Sequence, residues 1–157
     1  MAIIKPNNNT ISAITALPAG VGGKVLQAVE GTTTTETDTS STSFVATNLS
    51  VNITPSSSSN KVLVLAMGNI DSDSNASAPR VTIYRDSTNI GTGNGLAVNY
   101  NPNRLITPST MSKLDTPSSS SQITYSVRIK SGTGDSVRYG EAGTQKTIIA
   151  MEIAGWL

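Results

Sequence analysis

From Ile123 to Lys130 the chain reads Ile123-Thr124-Tyr125-Ser126-Val127-Arg128-Ile129-Lys130, apolar and polar residues alternating without a break. Successive side chains of a β-strand point to opposite faces, so this period marks a strand with one face in a core and one in solvent. No other stretch contradicts it, because nothing holds a helical period over even about 11 residues. Asn94 to Tyr100 is expected to form at most one helical turn. Strands are expected at Lys24 to Val29, Ser43 to Ala46, Leu49 to Ile53, Lys61 to Met67 and Arg80 to Arg85. Ser131 to Ser136 reads as a hairpin loop leading into Val137-Arg138-Tyr139. Lys146 to Ile153 is the last strand. It is apolar on both faces, so it belongs in the middle of the sheet stack or against another subunit. Roughly eight short strands with Gly, Ser and Pro turns predict an all-β fold, a jelly-roll or Greek-key β-sandwich.

Residues 1–23 have a different character. Isolated apolar residues (Ile3, Ile4, Ile11, Ile14, Leu17) are mixed with Pro6, Pro18 and a run of Asn, and Gly20, Gly22 and Gly23 follow as a joint. This reads as an extended N-terminal arm, docked on a partner or a neighbouring copy, ahead of a sandwich at 24–157. The start is not a signal peptide, since Pro6 and three Asn follow a very short apolar stretch. No segment reaches the roughly 18 apolar residues of a membrane span.

Chemistry is limited by what is missing. The chain has no His and no Cys. Ser–His–Asp and Cys–His arrangements are impossible, as are zinc and blue-copper sites built from those ligands. Only the carboxylates remain for catalysis. Glu152, which interrupts an apolar strand, is the one in a context that suggests burial. It reads as a raised-pKa acid, a paired interface residue or a side chain turned to solvent at a sheet edge. The loop Asp71-Ser72-Asp73-Ser74-Asn75 opens like a calcium-binding loop, but Ala76 stands where Gly is needed and Thr82 where the bidentate Glu should be. No cofactor and no enzymatic activity are expected, and a β-sandwich hydrolase is left far behind.

Net charge is +1 and 13% of residues are charged, against about 25% in an ordinary domain. No basic field is present to attract nucleic acid. The surface is made from 22 Ser and 21 Thr instead, so copies could pack densely with little charge repulsion. For a sugar-binding surface the candidate aromatics are Tyr84, out of phase with Val81 and Ile83, and Tyr100 in an Asn-rich loop. Tyr125 shares a face with Ile123 and Val127 and is expected in the core.

Gly23-Lys24-Val25-Leu26-Gln27, a Thr-rich stretch, Ser41-Thr42-Ser43-Phe44-Val45, Leu49-Ser50-Val51-Asn52-Ile53-Thr54-Pro55-Ser56 and Lys61-Val62-Leu63-Val64 together resemble a module of tailed-bacteriophage virion proteins. The resemblance covers roughly residues 23–67 and rests on a strand pattern. It implies a jelly-roll-like, usually trimeric module at tail-fibre ends or on capsids, and it transfers no active site. A short arm and a chain that ends after the last strand resemble a capsid decoration, or cement, protein on the outer surface of the virion. The partners implied are the major capsid protein and the chain itself, as a homotrimer. The arm residues would fill grooves between capsid subunits, and Met151, Ile153, Trp156 and Leu157 would form the oligomer interface. The alternative is a tail-fibre tip that recognises a host surface glycan.

Overall fold

The structure, a computed structural model, describes residues 25–72, 77–100 and 103–154. The arm at 1–23, and Trp156 and Leu157, lie outside the described residues. The elements are β1 (Val25–Thr33), β2 (Thr37–Thr39), β3 (Val45–Ile53), β4 (Lys61–Ser72), β5 (Pro79–Arg85), β6 (Thr88–Asn89), β7 (Ala97–Val98), β8 (Leu105–Asp115), β9 (Ile123–Ser131), β10 (Val137–Tyr139) and β11 (Lys146–Ile153). All are strands, and every pairing is antiparallel.

Two sheets form. Sheet A runs β1-β11-β4-β8, with β10 and β2 continuing beside the far end of β4; sheet B runs β3-β9-β5, with β6 and β7 on β5. Four ladders fix the topology: β1·β11, β3·β9, β4·β8 and β5·β7. They are successive rungs of one long antiparallel ribbon, rolled so that alternate rungs fall in opposite sheets. That winding is a jelly roll.

Alternation decides what is buried. In β9, Ile123, Tyr125, Val127 and Ile129 point inward and are almost wholly buried, while the residues between them are half-exposed. They meet Val62, Val64 and Ala66 of β4 and Ile148 and Ala150 of β11 in one core. Each fully buried valine or isoleucine there contributes about 1.5–3 kcal/mol. The sheets approach closely at Gly31, where an added Cβ would run into the backbone carbonyl oxygen of Ser50. Gly31→Ala is expected to cost about 1–3 kcal/mol, measured as a shift of the urea midpoint.

Several sequence expectations need correction. The strand expected in two pieces at 43–53 is one strand, β3, with a bulge between Ala46 and Ser50. The Thr47 hydroxyl fills that bulge, donating to the Val127 carbonyl at 2.8 Å and accepting from Leu49 N–H at 3.2 Å. Residues 131–136 do not close a hairpin. They carry the chain from sheet B to sheet A, where β10 pairs with β4 and β2. Ser131 N–H is taken by the Ser41 carbonyl at 2.7 Å instead of a β10 partner. No helical turn forms at 94–100, where Ala97–Val98 pairs with Val81 and Arg80. The long strand β8 had no expectation at all.

Candidate assembly surface

β11 lies inside sheet A, between β1 and β4. Its inward residues are Lys146, Ile148, Ala150 and Glu152; its outward residues are Thr147, Ile149, Met151 and Ile153. The expected interface residues Met151 and Ile153 are therefore on the outer face, half-buried by their neighbours.

Register extends this face into rows. Ala28, Met151, Leu63 and Leu114 lie side by side across four strands. The next rows are Glu30, Ile149, Leu65, Ser112 and then Thr32, Thr147, Met67, Thr110. Val25, Ile153 and Lys61 close the near end. Val25 is 51% exposed, Leu114 52% and Met67 39%. A shallow depression of about 290 Å³ beside Met67, Pro108, Thr110 and Thr147 continues the face. An antiparallel sheet with one solvated face ordinarily shows polar residues there. Here the central positions of β4 and β11 are Leu, Met and Ile.

Both ends of β11 carry a buried charge. Glu152 is fully buried. Its carboxylate accepts from Gln27 Nε2 at 2.6 Å, Asn60 Nδ2 at 2.6 Å, and the Ser56 hydroxyl and N–H, each at 2.7 Å. Burial alone would raise its pKa, but these four donors outweigh it and hold the group at about 2. Glu152 is thus neither a raised-pKa acid, nor a solvent-facing side chain, nor a residue of the outer face. It is an anion that ties β11 to β1 and to the 54–60 loop. At the other end Lys146 is 1% exposed, and its Nζ donates to the Glu141 carbonyl at 3.2 Å. Burial pushes that ammonium's pKa down, and the charge of Glu36 opposes the shift.

Two further carboxylates are buried that sequence reasoning missed. Asp115 takes Arg85 Nη1 at 2.9 and 3.0 Å and the Tyr125 hydroxyl at 2.7 Å. Asp71 takes Arg104 Nη2 at 2.9 Å, with Arg138 at 3.5 Å. Each is matched to a cation, an arrangement that fixes loops and strand ends. Asp71 therefore enters an ion-pair cluster; residues 73–76 of the suspected calcium loop lie outside the described residues. Tyr125 is fully buried as expected, Tyr100 is 73% exposed, and Tyr84 is half-exposed on sheet B.

No protein-family model matches the chain. No curated protein matches it either.

Proposed function

We propose that the chain is a structural virion subunit, a capsid decoration protein, that assembles through the outer face of sheet A against further copies of itself. The observation that carries this reading is the run of apolar rows on that face. Water would contact Leu63, Leu65, Ile149 and Met151 in an isolated protomer, and burying them between copies removes that cost. Few charges stand in the way. Glu30 and Lys61 lie at the margin, so this face can be buried against other copies without trapping an unpaired charge at its centre.

The face alone is small. Four strands at about 4.8 Å and seven residues at about 3.4 Å give roughly 450 Å² per copy, below the roughly 800 Å² per partner of an ordinary stable interface. Further contact has to come from elsewhere in the chain. Trp156 and Leu157 are apolar enough to add to the contact between copies, and the arm residues Ile3, Ile4, Ile11, Ile14 and Leu17 to the contact with the shell. On this reading the arm engages the major capsid protein and the copies form a homotrimer, as the resemblance to phage modules implies. Several weak contacts per oligomer then add by multivalency.

The test is the copy number per purified virion, measured by quantitative mass spectrometry against the major shell protein. A stoichiometry of the same order as the shell protein is expected. A handful of copies per particle contradicts decoration and favours the second reading, a tail-fibre tip that binds a host polysaccharide. One observation favours that second reading, the charge arrangement on sheet B.

A further inference from the structure

The outer face of sheet B is built unlike that of sheet A. β9 presents Thr124, Ser126, Arg128 and Lys130 outward, and β5 presents Arg80 and Tyr84, with Thr82 between them buried under the turn at 89–91. Arg80 and Lys130 are direct cross-strand partners, and Arg128 faces Thr82 in the same ladder. Directly opposite side chains stand about 5 Å apart at Cβ, and like charges there are destabilising. Arg128 is about 7 Å along the strand from Lys130. Three cations therefore sit in one small triangle.

No carboxylate among the described residues forms an ion pair with them. Among the described residues, Arg85, Arg104 and Arg138 are all in ion pairs. Within the described residues the sheet B cations donate to neutral oxygens. Arg80 donates to Asn94 Oδ1, Lys130 to the Gly93 carbonyl at 2.7 Å, and Arg128 to the Asp86 backbone carbonyl at 3.4 Å. The Asp86 carboxylate is turned to Thr124 N–H at 3.0 Å. Aromatic rings set the positions of two of the cations. Arg128 lies 4.0 Å over the Tyr84 ring and Lys130 4.7 Å over the Phe44 ring, and the two rings meet edge-on at 6.2 Å. Arg80 Nε and Arg128 Nε are also buried with no hydrogen-bond partner. The ring contacts and hydrogen bonds hold these cations in place. The like-charge juxtaposition and the two unpartnered buried Nε atoms cost stability, and folding alone gives no reason for them.

We propose that this face binds an anionic polysaccharide, a sugar chain bearing carboxylate or sulfate groups. Arg80, Arg128 and Lys130 take the anionic groups, and the neighbouring Ser126 and Asn52 meet sugar hydroxyls. The site deepens the second reading above by naming the class of glycan, and it does not depend on the assembly reading, since the two faces lie on opposite sides of the sandwich. A single-stranded nucleic acid fits less well. It binds largely by stacking bases on exposed aromatic faces, and here cations cover both rings. A net charge of +1 also supplies no wider basic field. An acidic protein partner fits less well because a protein interface has an apolar centre, which this face lacks.

The test uses the full chain and four probes: polygalacturonate, dextran sulfate, neutral dextran and oligothymidylate. Binding of polygalacturonate or dextran sulfate is expected, weakening as salt is raised, and whichever binds more tightly identifies the anionic group. Neutral dextran should not bind, and oligothymidylate should bind at least about tenfold more weakly. The double variant Arg80→Gln/Lys130→Gln should lose about tenfold or more in affinity. Its thermal midpoint should stay level or rise, because a like-charge pair is removed, so the loss cannot be unfolding. Equal binding of neutral dextran, oligothymidylate as tight as the acidic polysaccharides, full affinity in the double variant, or no binding of either acidic polysaccharide at low salt would each overturn the proposal.

Discussion

Glu152→Ala is expected to lower the stability of the protomer by about 2–4 kcal/mol, because buried neutral donors lose the charged acceptor they share. The donors of Gln27, Ser56 and Asn60 would lose their common acceptor. For a domain of this size that is a drop in thermal midpoint of roughly 10 °C. Glu152→Gln should also destabilise, since its amide nitrogen would face groups that are already donors. Glu30→Ala, on the exposed outer face of the edge strand β1, should stay within about 0.5 kcal/mol. The pH dependence has a definite sign. The folded pKa of Glu152 is lowered from 4.5 to about 2, so the folded state binds its proton more weakly than the unfolded chain does. Its contribution of about 3 kcal/mol is complete above pH 4.5 and fades as pH falls from there toward 2. Urea midpoints between pH 6 and pH 2 measure this. In Glu152→Ala the acid slope in that window should flatten.

Met151→Lys is expected to abolish assembly while leaving the protomer folded. Met151 sits mid-row, between Ala28 and Leu63, and points away from the core. A lysine there can extend its ammonium into water in a free protomer. Between two copies the same ammonium would be buried without a partner, a cost of several kcal/mol. Association should weaken by at least about a hundredfold, read from sedimentation across a dilution series. The thermal midpoint of the dilute protomer should hardly move. Ser126→Lys, on sheet B, should assemble like the parent chain.

Much of the fold was legible because alternation is a local property. β9 and β11 could be read from spacing alone, and the apolar character of both faces of β11 allowed a place inside the sheet stack or against another subunit, of which the sheet order shows the first. β8 was illegible for a physical reason. Pro108 and a run of hydroxyls weaken its alternation, and proline is tolerated there because β8 is an edge strand whose outer side needs no ladder donor. The crossing at 131–136 looked like a hairpin because turn residues report a change of direction and not a change of sheet. Glu152 was noticed as an interruption, but its donors come from β1 and the 54–60 loop, over 90 residues away in sequence. Asp115 and Asp71 find their arginines 30 and 33 residues away, so no local pattern could reveal that they are buried. The cation triangle needed the β5–β9 register, which sets Arg80 opposite Lys130. Composition, with its net charge of +1, pointed away from any charged site.

The central claim is that sheet A is covered in the assembled protein and sheet B is not. The chain contains no cysteine, so single thiols can be placed on each face. Leu114 on sheet A is 52% exposed in the protomer and Val98 on sheet B is 57% exposed. Maleimide labelling of Leu114→Cys and Val98→Cys, at high and low protein concentration, compares two sites of matched exposure. The expected result is that Leu114→Cys is protected at high concentration and becomes reactive on dilution, while Val98→Cys labels quickly at both. Equal rates for the two thiols at every concentration would contradict it.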